Sequence, residues 1–376
     1  MRASLISGIY MPPDAISYSV AVKVQALLDI FGQSLDYRIY CQATNVEDPR
    51  VTVSSTAGRV AMDHFFMESD LIIYEFGIAY KLFDSVFLTP SRARSLGVYH
   101  NVTPARLFDS PGQRDIIQRS LAQRMNLAAC SHVVCDSRYN LEDLLSIGIP
   151  RRKLDVLNLP VKPQFETPGE FQPKKGTIEV LFVGRFVPSK GLLDAVYAVL
   201  HAQALGSSQY RLSLAGDATF CDVEYMARVH SLVAASGHSD SFRFTGVIDE
   251  TRLVEEFRKA DVFLIPSYHE GFCLPALEAI ASGCPVIGYD AGNLPTIVNG
   301  LGRIAPVGDW RALGAALHEV ATALRSTAPR LPLDAGLLGI DEFRRMAASY
   351  ASGFRYPVFR ENLRHLLEDR MDLRAS

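Results

Sequence analysis

A chain of 376 residues is longer than a single hydrophobic core usually serves, so two domains are expected. Apolar residues at 48% and charged residues at 21% exclude a disordered or fibrous chain. A formal charge of −3 argues against a general nucleic-acid binder, which would carry a basic excess. No apolar run reaches the ~18 residues of a membrane span. The opening segment MRASLISGIYMPP reads as a first strand rather than a signal peptide, which makes a cytoplasmic location the expectation. The six cysteines are scattered, with no C-x-x-C pair and no Cys/His cluster at ligand spacing, so reduced thiols and no metal are expected.

Strand-like and helix-like stretches alternate along the chain, the pattern of doubly wound α/β sheets. In the first half, residues 5–10, 37–40, 71–74, 97–99 and 132–135 read as strands. A helix is predicted from Ser17 to Phe31, with Ser17 placed to cap it and offer its hydroxyl. A second series comprises 178–183, 210–214, 242–244, 262–265 and 286–288, while 328–338 is less regular. A proline- and glycine-rich stretch separates the two series. The predicted division is 1–165, a linker over 166–177, 178–352, and a C-terminal segment 353–376. In that last segment Phe359, Leu363 and Leu366 recur at helical spacing.

The chemistry concentrates after the strands. Asp261 to Ile265 reads as a buried parallel strand, followed by a glycine loop and by Pro275, which suits a first helical turn. Glu270 in that loop and Glu278 in the helix offer two acceptor carboxylates at the carboxyl end of a strand, where open α/β sheets bind ligands. Hydroxyl-rich ligands, sugars and riboses, suit such a pair, and the N–H groups of Gly271, Phe272, Cys273 and Leu274 add donors for a phosphate. The competing reading is that Glu278 caps its own helix and Glu270 is only solvated. After strand 178–183, Gly184 lets the backbone turn, and Arg185 and Lys190 flank a helix start. Two cations there fit a diphosphate clamp better than two bare surface charges, which the helix dipole would disfavour. His100 directly follows strand 97–99; alone it would more often be a structural histidine with both nitrogens satisfied. Asn293 follows another strand in a sharp turn, and Val247 and Asp249 sit in a further post-strand loop that is equally readable as an ordinary turn. Arg106, Arg114, Arg119 and Arg124 read first as a solvated face, and alternatively as a surface for an anionic, lipid-linked acceptor.

The segment EGFCLPALEAIASGCPVI, residues 270–287, resembles the signature of glycosyltransferase family 4. These are retaining enzymes with the GT-B fold, two Rossmann-like doubly wound α/β domains facing across a cleft. The segment YHNVTPARLF, residues 99–108, resembles one found in a bacterial subset of that family. The resemblance implies a nucleotide diphosphate sugar as donor and a hydroxyl-bearing glycan or lipid-linked acceptor. It implies no cofactor, no metal and no nucleic acid, with peripheral membrane contact as a further expectation. Glu270 would approach the donor sugar, Glu278 the ribose, Arg185 and Lys190 the diphosphate, and His100 the sugar from the other domain. The backbone of 245–249 would read the base, and the C-terminal helix would cross back to the first domain. Two departures stand out: Cys273 replaces a frequent glycine, and Asp14-Ala15-Ile16-Ser17 replaces consecutive glycines. The second departure keeps two rivals open, a donor-binding but inactive subunit and a phosphorylase or epimerase on the same fold.

Overall fold

The computed structural model describes residues 1–374 except 13, 109, 167–173 and 219–222. The chain divides into two compact units, Met1–Pro160 with Tyr356–Ser376, and Val161–Arg355. The division at Pro160 and Val161 has a local cause. The Val161 N–H donates to the Phe354 carbonyl and the Phe165 ring meets Phe257 edge-on at 5.4 Å, so residues from 161 onward pack within the second unit. Most of the expected linker lies outside the described residues.

In the first unit the described elements run β1 (Arg2–Ile6), α1 (Ala15–Phe31), β2 (Asp36–Cys41), β3 (Val51–Val53), β4 (Leu71–Phe76), β5 (Arg94–Tyr99), α2 (Pro111–Gln123), β6 (His132–Cys135), α3 (Arg138–Ser146) and β7 (Leu154–Val156). They build a parallel sheet of order β3-β2-β1-β4-β5-β6-β7. All six residues of β4, Leu-Ile-Ile-Tyr-Glu-Phe, are buried, as a central parallel strand covered on both faces requires. α1 starts at Ala15 rather than Ser17, because the Asp14 carboxylate caps it by accepting from the N–H groups of Ile16 and Ser17. Ser17 lies inside the first turn, where its hydroxyl accepts from the Met11 N–H at 2.8 Å. One stretch, Ala15–Ser34, is long and apolar enough to cross a membrane by length and composition, contrary to expectation. Half of that stretch is buried in this unit, with Val20, Ala26 and Leu27 in its core.

The second unit runs β8 (Ile178–Val183), α4 (Leu192–Ala204), β9 (Tyr210–Ala215), β10 (Phe242–Gly246), α5 (Glu250–Lys259), β11 (Val262–Ile265), α6 (Leu274–Ala281), β12 (Val286–Tyr289), α7 (Leu294–Val298), β13 (Gly302–Ala305) and α8 (Trp310–Leu324). Its parallel sheet has the order β10-β9-β8-β11-β12-β13. Residues 328–338, which look irregular in sequence, form most of an antiparallel hairpin of β14 (Arg330–Leu333) and β15 (Gly336–Gly339). Leu331 and Leu333 are the buried positions of β14, with Pro332 between them less buried. The chain continues through α9 (Ile340–Ser352) to α10 (Tyr356–Met371), which belongs to the first unit. There α10 buries Phe359, Leu363, Leu366 and Leu367, and its Tyr356 hydroxyl donates to Asp29 of α1 at 2.6 Å.

Strand order reverses between β1 and β4 in one sheet and between β8 and β11 in the other. Loops leaving such a pair diverge and open a crevice at the carboxyl ends of the strands. In the second unit the loops nevertheless touch behind that crevice. Gly191 has φ +69°, and a Cβ there would stand 2.0 Å from the Pro266 carbonyl oxygen. Gly191→Ala is therefore expected to cost about 2 kcal/mol or more, from left-handed strain plus a clash. Gly148 has φ +92° with open space around it, so Gly148→Ala should cost only about 1 kcal/mol. Urea midpoints of the two variants check the difference.

Candidate active site

The crevice of the second unit gathers Gly184, Arg185, Lys190, Glu270 and the 271–274 loop. Lys190 ends a single helical turn after β8, and its ammonium contacts Glu270 Oε1 at 2.7 Å. Glu270 is buried, Lys190 is partly accessible, and Arg185 is exposed with no ion pair among the described residues. A cation and a carboxylate thus occupy the floor, and a second cation stands free at the rim. The chemistry this permits is binding of an anion by the cations together with hydroxyl groups by the carboxylate.

Backbone and buried side chains lock the wall. Tyr268 N–H donates to the Ser189 carbonyl at 2.8 Å, joining the loops after β8 and β11. Asn293 N–H donates to the Glu270 carbonyl at 2.9 Å, and its side-chain amide to the Phe272 carbonyl at 3.0 Å. Asn293 therefore spends its amide N–H on the loop that carries Glu270. Gly292, at φ +61°, allows this approach, since a Cβ there would lie 2.2 Å from the Glu270 carbonyl oxygen. The hydroxyls of Tyr268 and Tyr289 both donate to Asp194 Oδ2, at 2.6 and 2.7 Å. This anchor is invisible to motif reading; its trace is an acidic residue in the first turn of α4.

Glu278 lies in α6, whose first residue is Leu274 with Pro275 second. Glu278 is almost fully buried, and burial pushes its carboxyl up to about 7, against a partial offset from Lys162 and a small addition from Glu250. It does not cap its own helix. The residue before α6, Cys273, has φ 72° and supplies no side-chain cap, which leaves the first-turn N–H groups of α6 without that partner. Val247 is exposed, and Asp249 caps α5 by accepting from the Arg252 N–H at 2.8 Å.

In the first unit His100 sits at the carboxyl end of β5 with both ring nitrogens occupied. Nδ1 faces Asp136 Oδ2 and Nε2 faces Glu75 Oε2, each at 2.6 Å. Glu75 also receives Lys23 at 3.3 Å and the Ser19 hydroxyl at 3.1 Å. Burial alone would lower the His100 pKa, but Asp136 and then Glu75 outweigh it and raise it to about 9. Burial likewise opposes the charge on Glu75, yet Lys23 and then His100 bring that carboxyl below its ordinary value. A free ring nitrogen for a sugar hydroxyl is absent in this state. The signals that foretell the cluster are a glutamate in the apolar strand β4 and a lysine on the buried face of α1.

Three of the four arginines weighed in the first unit have partners there. Arg124 is largely buried on Asp143 at 2.5 Å, Arg119 pairs with Asp115, and Arg114 donates to the Phe108 carbonyl at 2.6 Å. Five cysteines, 41, 130, 135, 273 and 284, are free and buried, and Cys221 lies outside the described residues.

Residues 164–323 match the family model of glycosyl transferases group 1. The matched segment holds Arg185, Lys190, Glu270 and Glu278. The chain is 31% identical over 202 residues to a glycogen synthase of Mycobacterium tuberculosis, covering 52% of this chain and 45% of the synthase. It spans less than half the length of such curated relatives. Among solved structures, a sucrose-phosphate synthase from Thermosynechococcus elongatus superposes with a TM-score of 0.73 at 18% identity, covering 99% of both chains. Anabaena HepE, solved in complex with UDP-glucose, gives 0.74 at 16% identity, covering 98% of this chain and 100% of HepE. The fold is GT-B, with two Rossmann-like domains.

The His100 cluster sets a pH dependence. Its folded pKa lies above the ordinary 6.5, so its stabilisation is complete below about pH 6.5 and disappears as pH rises through about 9. His100→Gln should therefore show about 3 kcal/mol less loss of stability than the native chain between pH 6 and pH 10, measured by urea unfolding.

Proposed function

We propose that this chain is a retaining glycosyltransferase of family 4, moving a sugar from a nucleotide diphosphate sugar to a hydroxyl acceptor. The observation that carries the reading is the Lys190–Glu270 pair at the strand-order reversal of the second unit, with Arg185 exposed in the loop that follows β8. Lys190, Arg185 and the N–H groups at the start of α6 stabilise the charge that grows on the departing diphosphate. The diphosphate draws Lys190 from Glu270, and Glu270 then accepts from a sugar hydroxyl. Glu278 accepts from the ribose, and its burial makes that bond strong. Gly271, Phe272, Cys273 and Leu274 contribute backbone donors. His100 acts as a positioning residue, its ring held by Glu75 and Asp136.

In this reading the cations of the chain do the work of charge neutralisation, and transfer proceeds with no metal and no further cofactor. Same-face attack with the leaving phosphate taking the acceptor proton needs no protein nucleophile. The acceptor is proposed to be a growing glycan or a lipid-linked saccharide, in polysaccharide or glycolipid assembly at the inner face of a membrane. Incubation with radiolabelled nucleotide sugars and candidate acceptors tests the activity. Donor binding without transfer or hydrolysis would instead favour an inactive subunit.

Two variants test the assignments. Lys190→Ala is expected to lower kcat by a factor of about a hundred or more, the effect of removing one preorganised charge contact; an unchanged kcat would show that the diphosphate lies elsewhere. Glu278→Gln should chiefly raise the donor KM. Because the carboxyl titrates near 7 in the free protein, donor affinity of the native chain should rise with pH through that value, and the variant should lose this dependence.

A further inference from the structure

A parallel sheet covered on both faces should be apolar on both. At the amino ends of β8, β9 and β10 that rule breaks. Glu179 pairs in register with Arg211, Leu181 with Ser213, and Ser213 with Arg243, so these side chains share one face of the sheet. From α5, Arg252, Glu256 and Lys259 line the same space, a groove of about 540 Å³. Along β8, Glu179 lies roughly 16 Å from Gly184, so the groove is at the far end of the sheet from the candidate active site.

The groove's carboxylates are already engaged. Glu179 accepts from Arg211 at 2.8 Å, while the buried Glu256 is shared by Arg243 and Arg252. Arg243 is further oriented by the Ser213 hydroxyl at 2.8 Å. Among the described residues, Arg258 bonds to the Gln164 carbonyl at 3.5 Å, and Lys259 pairs with Glu255 at 3.6 Å. Helix-dipole compensation accounts for Arg258 and Lys259 in the last turn of α5, but not for Arg211 and Arg243, which come from strands. We infer that this groove is a second binding site, for a phosphate-bearing anion of at least two negative charges. The inference is independent of the glycosyltransferase reading.

Equilibrium dialysis of the full chain with radiolabelled inorganic pyrophosphate tests it, using Lys190→Ala to silence the candidate active site. That variant should still bind, more weakly as salt is raised. Adding Arg258→Ser and Lys259→Ser should weaken binding about tenfold, and Arg211→Ser should do so separately. Circular dichroism identifies any variant that fails to fold. Flotation with phosphatidic acid vesicles, competed by pyrophosphate and lost in the same variants, would assign a lipid headgroup as the source. Pyrophosphate binding without flotation would assign a soluble phosphate. Loss of all binding in Lys190→Ala, or binding indifferent to the groove substitutions, would overturn the site.

Discussion

The reversal of strand order between β8 and β11 is the constraint from which the candidate site follows. A right-handed crossover on either side of a reversal carries the two following loops apart, and backbone polar groups at the strand ends are left without sheet partners. In this chain the loops after β8 and β11 are pressed together at Gly191 and Pro266, and those after β11 and β12 at Glu270 and Gly292. Approach that close leaves little freedom to the residues in front. Lys190 and Glu270 consequently meet before any ligand arrives, and the ordering entropy of the wall belongs to folding rather than to binding.

Burial pushes two glutamates in the same direction, and the distance to their partners decides where each ends. Glu75 and Glu278 are both removed from water, and removal raises a carboxyl pKa. Glu75 is in contact with Lys23, His100 and Ser19, and these contacts hold it below the ordinary value. Glu278 feels Lys162, which is itself bonded to Glu250 at 2.7 Å, and desolvation wins. The first arrangement is a closed structural network, in which removing one member would strand a buried charge at a cost of several kcal/mol. The second is incomplete, and a hydroxyl donor from outside would complete it. Lys190 and Glu270 fall between these cases, paired but open on one side.

The alternation of strands and helices was legible because buried parallel strands are continuous apolar runs, as at 262–265. The short edge strands β3 and β7 were not, since an edge strand buries one face and carries too few residues for a pattern. The start of α1 was misplaced because Asp14 and Ser17 are both capping types and only geometry decides which carboxylate or hydroxyl meets the free N–H groups. Glu270, Arg185 and Lys190 were readable as candidates because each lies between a strand and the next helix, and Glu278 because it lies in the helix that Pro275 opens. That Lys190 binds Glu270, that Asn293 holds the Phe272 carbonyl, and that Asp194 ties two tyrosines depend on contacts between residues far apart in the chain. No local pattern encodes them.

Cys273 departs from the resembling pattern at a position where the backbone is left-handed. Its φ of 72° explains why glycine is frequent there, because a side chain in the left-handed region costs about 1 kcal/mol. A cysteine could have done more harm at a helix start by ionising, for a thiolate would oppose an incoming phosphate. Burial prevents that: it pushes the thiol well above its ordinary pKa, and nearby Glu270 adds to the effect. The thiol is therefore neutral at the start of α6. It also offers no side-chain acceptor to the first turn of α6, so the dipole and N–H donors of that helix stay directed at the crevice.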